Sequence, residues 1–96
     1  MKIFAISKNQ PGTTLEQVQP HFVAESKAAW DLYASGAIRE IYLRTDRPGA
    51  VIVLEADSVE AARQTLATLP LMQAGLIDFD YLPVGPFSSF ALFFAQ

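Results

Sequence analysis

His21 and Glu25 stand four residues apart in a segment whose apolar positions Val18, Phe22, Ala29 and Leu32 recur at helical spacing. Glu25 completes that stripe, so the helix turns a carboxylate toward the sheet its apolar face covers. Apolar surroundings disfavour the ionised carboxylate and raise its pKa toward the range useful for proton transfer, and an imidazole, a common proton shuttle, stands on the adjoining strip. The pair therefore reads as acid/base machinery. The plainer reading is an ordinary helix pair at the core edge, with Glu25 salt-bridged to a strand arginine.

Two arginines could meet such a carboxylate. Arg39 and Arg44 lie five apart on one strand and project to opposite faces, Arg39 with Ile41 and Leu43, Arg44 with Glu40 and Tyr42. An arginine in apolar company suits an anionic substrate or the charge that develops on an enolate, and equally a structural partner for Glu25 or Glu55. Trp30, Tyr33, Tyr42 and Tyr81 are the substrate-binding candidates for a pocket between helices and sheet, although aromatics at such spacing also make ordinary cores. Asp78 and Asp80 share a strand face, but with one histidine and no cysteine no metal constellation or disulfide is expected. Gly36, Gly49 and Gly75 punctuate turns rather than a phosphate loop, and no cofactor is expected.

The elements that must position these residues follow from local pattern. KIFAISK (2–8) reads as a first strand, ended by the turn cluster Asn9-Gln10-Pro11-Gly12. Thr14 and Gln17 make a capping box that opens a helix running to Gly36, with Pro20 producing either a kink or a short first turn before the main helix. AIREIYLR (37–44) and AVIVLEA (50–56) form a hairpin, with Pro48-Gly49 suited to the centre of a type II turn. Ser58 caps a helix with Val59, Ala62, Leu66 and Leu69 on one face, terminated by Pro70, and LIDFDYLPV (76–84) is the fourth strand. The order βαββαβ gives an α+β, ferredoxin-like domain spanning 1–96, a four-stranded antiparallel sheet with two helices on one side. PFSSFALFFAQ (86–96) adds a short helical arm that either closes the protomer's own core edge or reaches onto a neighbouring subunit.

If the second sheet face met water, the strands should alternate apolar with polar. They do not: Ile3 and Ala5 oppose Phe4 and Ile6, Ile52 and Leu54 oppose Val51 and Val53, and Ile77, Phe79 and Tyr81 oppose Leu76 and Leu82. Hydrophobic residues make up 51% of the 96, with a mean hydropathy of +0.23, more than a small soluble monomer needs. Two such faces packed together make a dimeric α/β barrel, so an obligate homodimer is expected. No apolar run is long enough to span a bilayer, and Ile3–Ile6 is too short for a secretory core, which leads us to expect a cytoplasmic protein with no membrane partner. A net charge of −3 with scattered Lys and Arg argues against nucleic acid.

The segment SVEAARQTLATLPL (58–71) resembles the second helix and Leu-Pro-Leu ending of the muconolactone isomerase family, and IDFDYLPVGPFSS (77–89) resembles its acidic fourth strand and Pro-Ser-Ser tail. Glu25 in VAESKAAW and Arg39 after Gly36 fall where those isomerases carry Glu and Arg, while Phe4 stands where they carry a first-strand histidine. The resemblance implies a dimeric α/β barrel that assembles into larger oligomers. It also implies a cofactor-independent shift of a proton and double bond in a small anionic lactone, with Glu25 as base and Arg39 facing the enolate. Two alternatives stand beside an isomerase: a cofactor-free monooxygenase of aromatic substrates on the same fold, and a non-catalytic binding or assembly module.

Overall fold

The computed structural model describes residues 1–96. Strand β1 (Lys2–Asn9) leads through a turn to Thr14, whose hydroxyl accepts from the Gln17 N–H at 3.3 Å while the Gln17 side chain accepts from the Thr14 N–H at 2.9 Å. This capping box starts α1 (Leu15–Val18), and a 3-10 turn at Gln19–His21 carries Pro20. The main helix α2 then runs over Phe22–Ala34. Of the two outcomes open for Pro20, the short first turn is the one realised: proline cannot supply the N–H a continuous helix would need. Gly36, at φ +88°, lets the chain leave α2 in the left-handed conformation.

Strands β2 (Ile38–Leu43) and β3 (Ala50–Glu55) form the expected hairpin, but the connection is not a type II turn. Gly49 has φ +149°, not the roughly +80° of that turn. The loop is closed by the Arg44 N–H donating to the Gly49 carbonyl at 2.8 Å and by the Arg44 guanidinium on Asp46 at 2.9 and 2.7 Å. A Cβ on Gly49 would sit 3.2 Å from both the Ser7 hydroxyl and the Arg44 side chain, and that hydroxyl accepts from the Ala50 N–H at 2.7 Å.

Ser58 caps α3 (Val59–Leu66), which ends one turn earlier than the apolar spacing suggests. Pro70 does not simply stop it. Proline suits the first position of a helix, and here it opens a further turn, α4 (Pro70–Gln73). Strand β4 (Ile77–Val84) and a terminal helix α5 (Phe90–Phe94) complete the order.

The sheet is antiparallel in the order β2-β3-β1-β4, with β1 between β3 and β4. Helices cover the face bearing Ile3, Ala5, Ile52, Leu54, Ile77 and Phe79, which join Ala62, Leu66 and Leu69 in one core. The other face carries Phe4, Ile6, Val51 and Val53 at its centre, with Lys2, Lys8, Asp80 and Glu55 around them and a Lys8–Asp80 ion pair of 2.7 Å. Val53, 1% exposed, is the one buried apolar residue outside the helix-side core. The two-sided apolar pattern of the strands is thus present, and within this chain no helix covers the second face. No helix is long and apolar enough to cross a membrane.

Candidate functional site

Glu25 lies in the first turn of α2 and is half-buried. Its Oε1 accepts from the backbone N–H of Leu71 at 3.0 Å, tying α2 to the start of α4. Burial pushes the Glu25 carboxyl above the usual carboxylate range, and the Leu71 N–H and the nearby His21 pull back against it. His21 ends the 3-10 turn, half-buried, one helical turn before Glu25. No arginine salt-bridges Glu25, so its charge is answered by a backbone amide and an imidazole rather than by the strand cation that the plainer reading requires.

Arg39 belongs to a second cluster. The β2–β3 register shifts between Ile38 and Glu40, so Ile38 and Ile41 both pair with helix-side residues, Leu54 and Ile52, and the simple alternation expected for Arg39 is interrupted there. Its Nε donates to the Gly36 carbonyl at 2.8 Å, and the side chain is exposed. Tyr33, Arg39, Glu40, Ile41 and Tyr42 line an open groove of about 330 Å³ between the end of α2 and the β2 edge. The Tyr42 hydroxyl is hydrogen-bonded to the Glu40 carboxylate, which holds the phenol above its ordinary pKa. Trp30 packs on Tyr33 with ring centroids 5.7 Å apart.

The structure therefore brings Glu25 to His21, and Arg39 to Tyr33 and Tyr42 with Trp30 alongside, but does not join the two sets. Eight residues of helix separate Glu25 from Tyr33, roughly 12 Å along the axis. Tyr81 stands apart from both: it lies on β4, at the opposite sheet edge from β2, beneath the Arg63 guanidinium at 4.7 Å and beside Phe79 at 6.2 Å. Burial is the main cause of its raised phenol pKa.

Two features escape sequence reading. The Leu71 amide is a backbone donor left without a partner in its own helix because Pro70 opens a new turn, and no side-chain pattern marks it. A groove of about 700 Å³ lies at the far end of the sheet, where Ser7, Lys8, Arg44, Arg47 and Asp80 converge. The arginines of the 44–49 loop were its only visible signal, since the pairing of β1 with both β3 and β4 assembles it.

In fold, this is a muconolactone isomerase-like α+β protein. The chain superposes on muconolactone isomerase with a TM-score of 0.73 at 21% identity, covering 93% of each chain. It also superposes on the 5-chloro-2-hydroxyhydroquinone dehydrochlorinase of Burkholderia phenoliruptrix AC1100, solved with 2,5-dihydroxybenzoquinone, with a TM-score of 0.71 at 19% identity over 88% of this chain and 94% of that one. No family model matches the chain, and no curated protein matches it in sequence.

Proposed function

We propose that this chain is an isomerase-like, cofactor-independent protein that moves a proton on a small anionic lactone or aromatic-derived metabolite, bound along the sheet-facing side of α2. The observation that carries this reading is Glu25, a half-buried carboxylate of raised pKa with no cationic side chain bonded to it. A base must give its proton back, and a carboxylate locked against a guanidinium would be too weak to take one. His21 stands where it can exchange that proton with solvent. Arg39, in a separate groove with Tyr33 and Tyr42 at the β2 edge, is the cation we assign to the carboxylate end of a ligand that reaches along α2, and its bond to the Gly36 carbonyl uses only one of five donors. The two structural neighbours are named for reactions of a lactone and of a hydroxylated ring, which agrees with this ligand class.

The working unit we propose is a homodimer built on the second sheet face, whose apolar centre and charged rim have the anatomy of an interface.

A second reading has an observation of its own. The Glu25–Leu71 bond ties two helices together, which a non-catalytic binding module would also need. A thermal-shift screen against small carboxylates and lactones, followed by turnover assays of Glu25→Gln on whatever binds, separates them. A ligand that stabilises the protein and is converted by the wild type but not by the variant supports the enzyme. Binding without conversion in either supports the module.

A further inference from the structure

The chain carries a net charge of −3, yet three of its seven lysines and arginines, Lys8, Arg44 and Arg47, converge on the groove of about 700 Å³ at the far end of the sheet. Two of them have carboxylate partners, Lys8 on Asp80 at 2.7 Å and Arg44 on Asp46 at 2.9 and 2.7 Å. Arg47 has none: its guanidinium makes no ion pair, although it stands close enough to Asp46 to help lower the pKa of that carboxyl. Asp78, opposite Lys8 in the β1–β4 pair, accepts from the Phe79 N–H at 2.8 Å and does not line the groove.

The groove also holds a buried donor. Ser7 is the one buried polar residue of the chain, 9% exposed. Its oxygen accepts from the Ala50 N–H at 2.7 Å, and its own hydrogen meets no acceptor in the chain. Gly49 makes room for this arrangement. A Cβ there would press on both the Ser7 hydroxyl and the Arg44 side chain at 3.2 Å, so the glycine lets the arginine stem lie beside the serine. The Arg44 side chain is 19% exposed, and its pair with Asp46 uses two of five N–H donors; Lys8 spends one of three on Asp80. Hydrogen-bond donors are thus left over on Ser7, Lys8, Arg44 and Arg47 together, which suits an oxyanion and repels a cation.

We propose that this groove is an anion site, separate from Glu25 and Arg39, that takes the carboxylate or phosphate group of a small organic molecule. Arg47 supplies an open guanidinium fork, Arg44 and Lys8 the flanking charge, and Ser7 a hydroxyl hydrogen. Arg44 lies five residues along the chain of β2 from Arg39, roughly 17 Å when extended, so a small ligand held at one does not reach the other. None of these residues belongs to the Glu25 or Arg39 sets, so the site stands whether or not Glu25 acts as a base.

The test titrates inorganic phosphate and succinate separately into the full chain and follows the amide signals by NMR, with sodium chloride at matched ionic strength as the blank. At least one of the two anions should give saturable shifts centred on Ser7, Lys8, Arg44, Arg47 and Gly49, and the one that binds more tightly names the group, phosphate or carboxylate. Arg47→Gln alters an exposed side chain that has no ion pair, and it should weaken that binding about tenfold or more, as the loss of a charge-assisted hydrogen bond does. Lys2→Gln removes the same charge from the other end of β1 and should leave the affinity within about twofold. Shifts no larger than the chloride blank for both anions would overturn the proposal. So would equal losses in the two variants, which would mean unspecific attraction, or shifts centred on Gly36, Arg39 and Tyr42, which would place the anion in the other groove.

Discussion

Placing a carboxylate at the centre of the uncovered sheet face should break the proposed dimer while sparing the subunit. Val51 is the position for it: it lies on central strand β3, half-exposed, between Ile6 of β1 and Tyr42 of β2. In the free subunit Val51→Asp replaces a β-branched residue with a poor strand former that still reaches water, a loss of about 1 kcal/mol. In the dimer the same carboxylate is enclosed by apolar neighbours with no cation bonded to it, at an effective penalty of about 3 kcal/mol. Two-fold symmetry places the substitution on both sides of the interface, so the association free energy falls by about 6 kcal/mol and Kd rises by a factor of about 10,000. Sedimentation equilibrium at micromolar concentration should find a wild-type dimer and a folded Val51→Asp monomer. A variant dimer with Kd within tenfold of wild type, or a wild type that is itself a stable monomer, would refute the reasoning.

Gly49→Ala should lower stability by about 1–2 kcal/mol in thermal denaturation, because the new Cβ meets Ser7 and Arg44 at 3.2 Å from a backbone of φ +149°; an unchanged melting temperature would mean that the loop yields freely. Glu25→Ala removes the acceptor of the half-buried Leu71 N–H and should cost about 1–2 kcal/mol in urea unfolding, whereas Glu25→Gln keeps an acceptor and should cost little. Because burial raises the folded pKa of Glu25, its contribution is fully present below the unfolded value of about 4.5 and is lost as pH rises through the folded value, and Glu25→Gln should abolish that decline. Asp46 has the opposite sign. The Arg44 guanidinium lowers its pKa from 3.8 to about 2, so the stability it adds is present above 3.8 and lost as pH falls toward 2. Urea midpoints of Asp46→Asn should converge on wild type across that acidic window, and parallel curves would show that the Arg44 contact adds nothing.

Much of the fold is legible because local signals and long-range packing agree. Thr14 with Gln17, Ser58, and the apolar face of Ala62, Leu66 and Leu69 each specify an element and its orientation without reference to the rest of the chain. Pro20 and Pro70 show where such reading stops. Each was visible as an interruption, but whether proline ends a helix or begins one depends on which backbone groups find partners, and at Pro70 the Glu25 carboxylate from α2 receives the next amide. The β2 bulge could not be foreseen, since nothing in AIREIYLR marks the extra residue, and it is what sets Arg39 apart from the strict alternation of its strand. The candidate site divides in the same way. The His21–Glu25 pair follows from helix spacing alone, whereas the company of Arg39 and Tyr81 depends on which strands form the sheet edges.

The central claim is that Glu25 takes and returns a proton on a small anionic ligand. Solvent exchange tests it most directly: lactone carboxylates bearing an acidic C–H are incubated in deuterated buffer with the protein, and deuterium uptake is followed by NMR. Wild type should accelerate exchange of at least one such compound, with Glu25→Gln slower by a factor of about 100 or more and equally stable. Equal exchange rates for wild type and Glu25→Gln on a bound compound, or no exchange above buffer for any compound that binds, would contradict it.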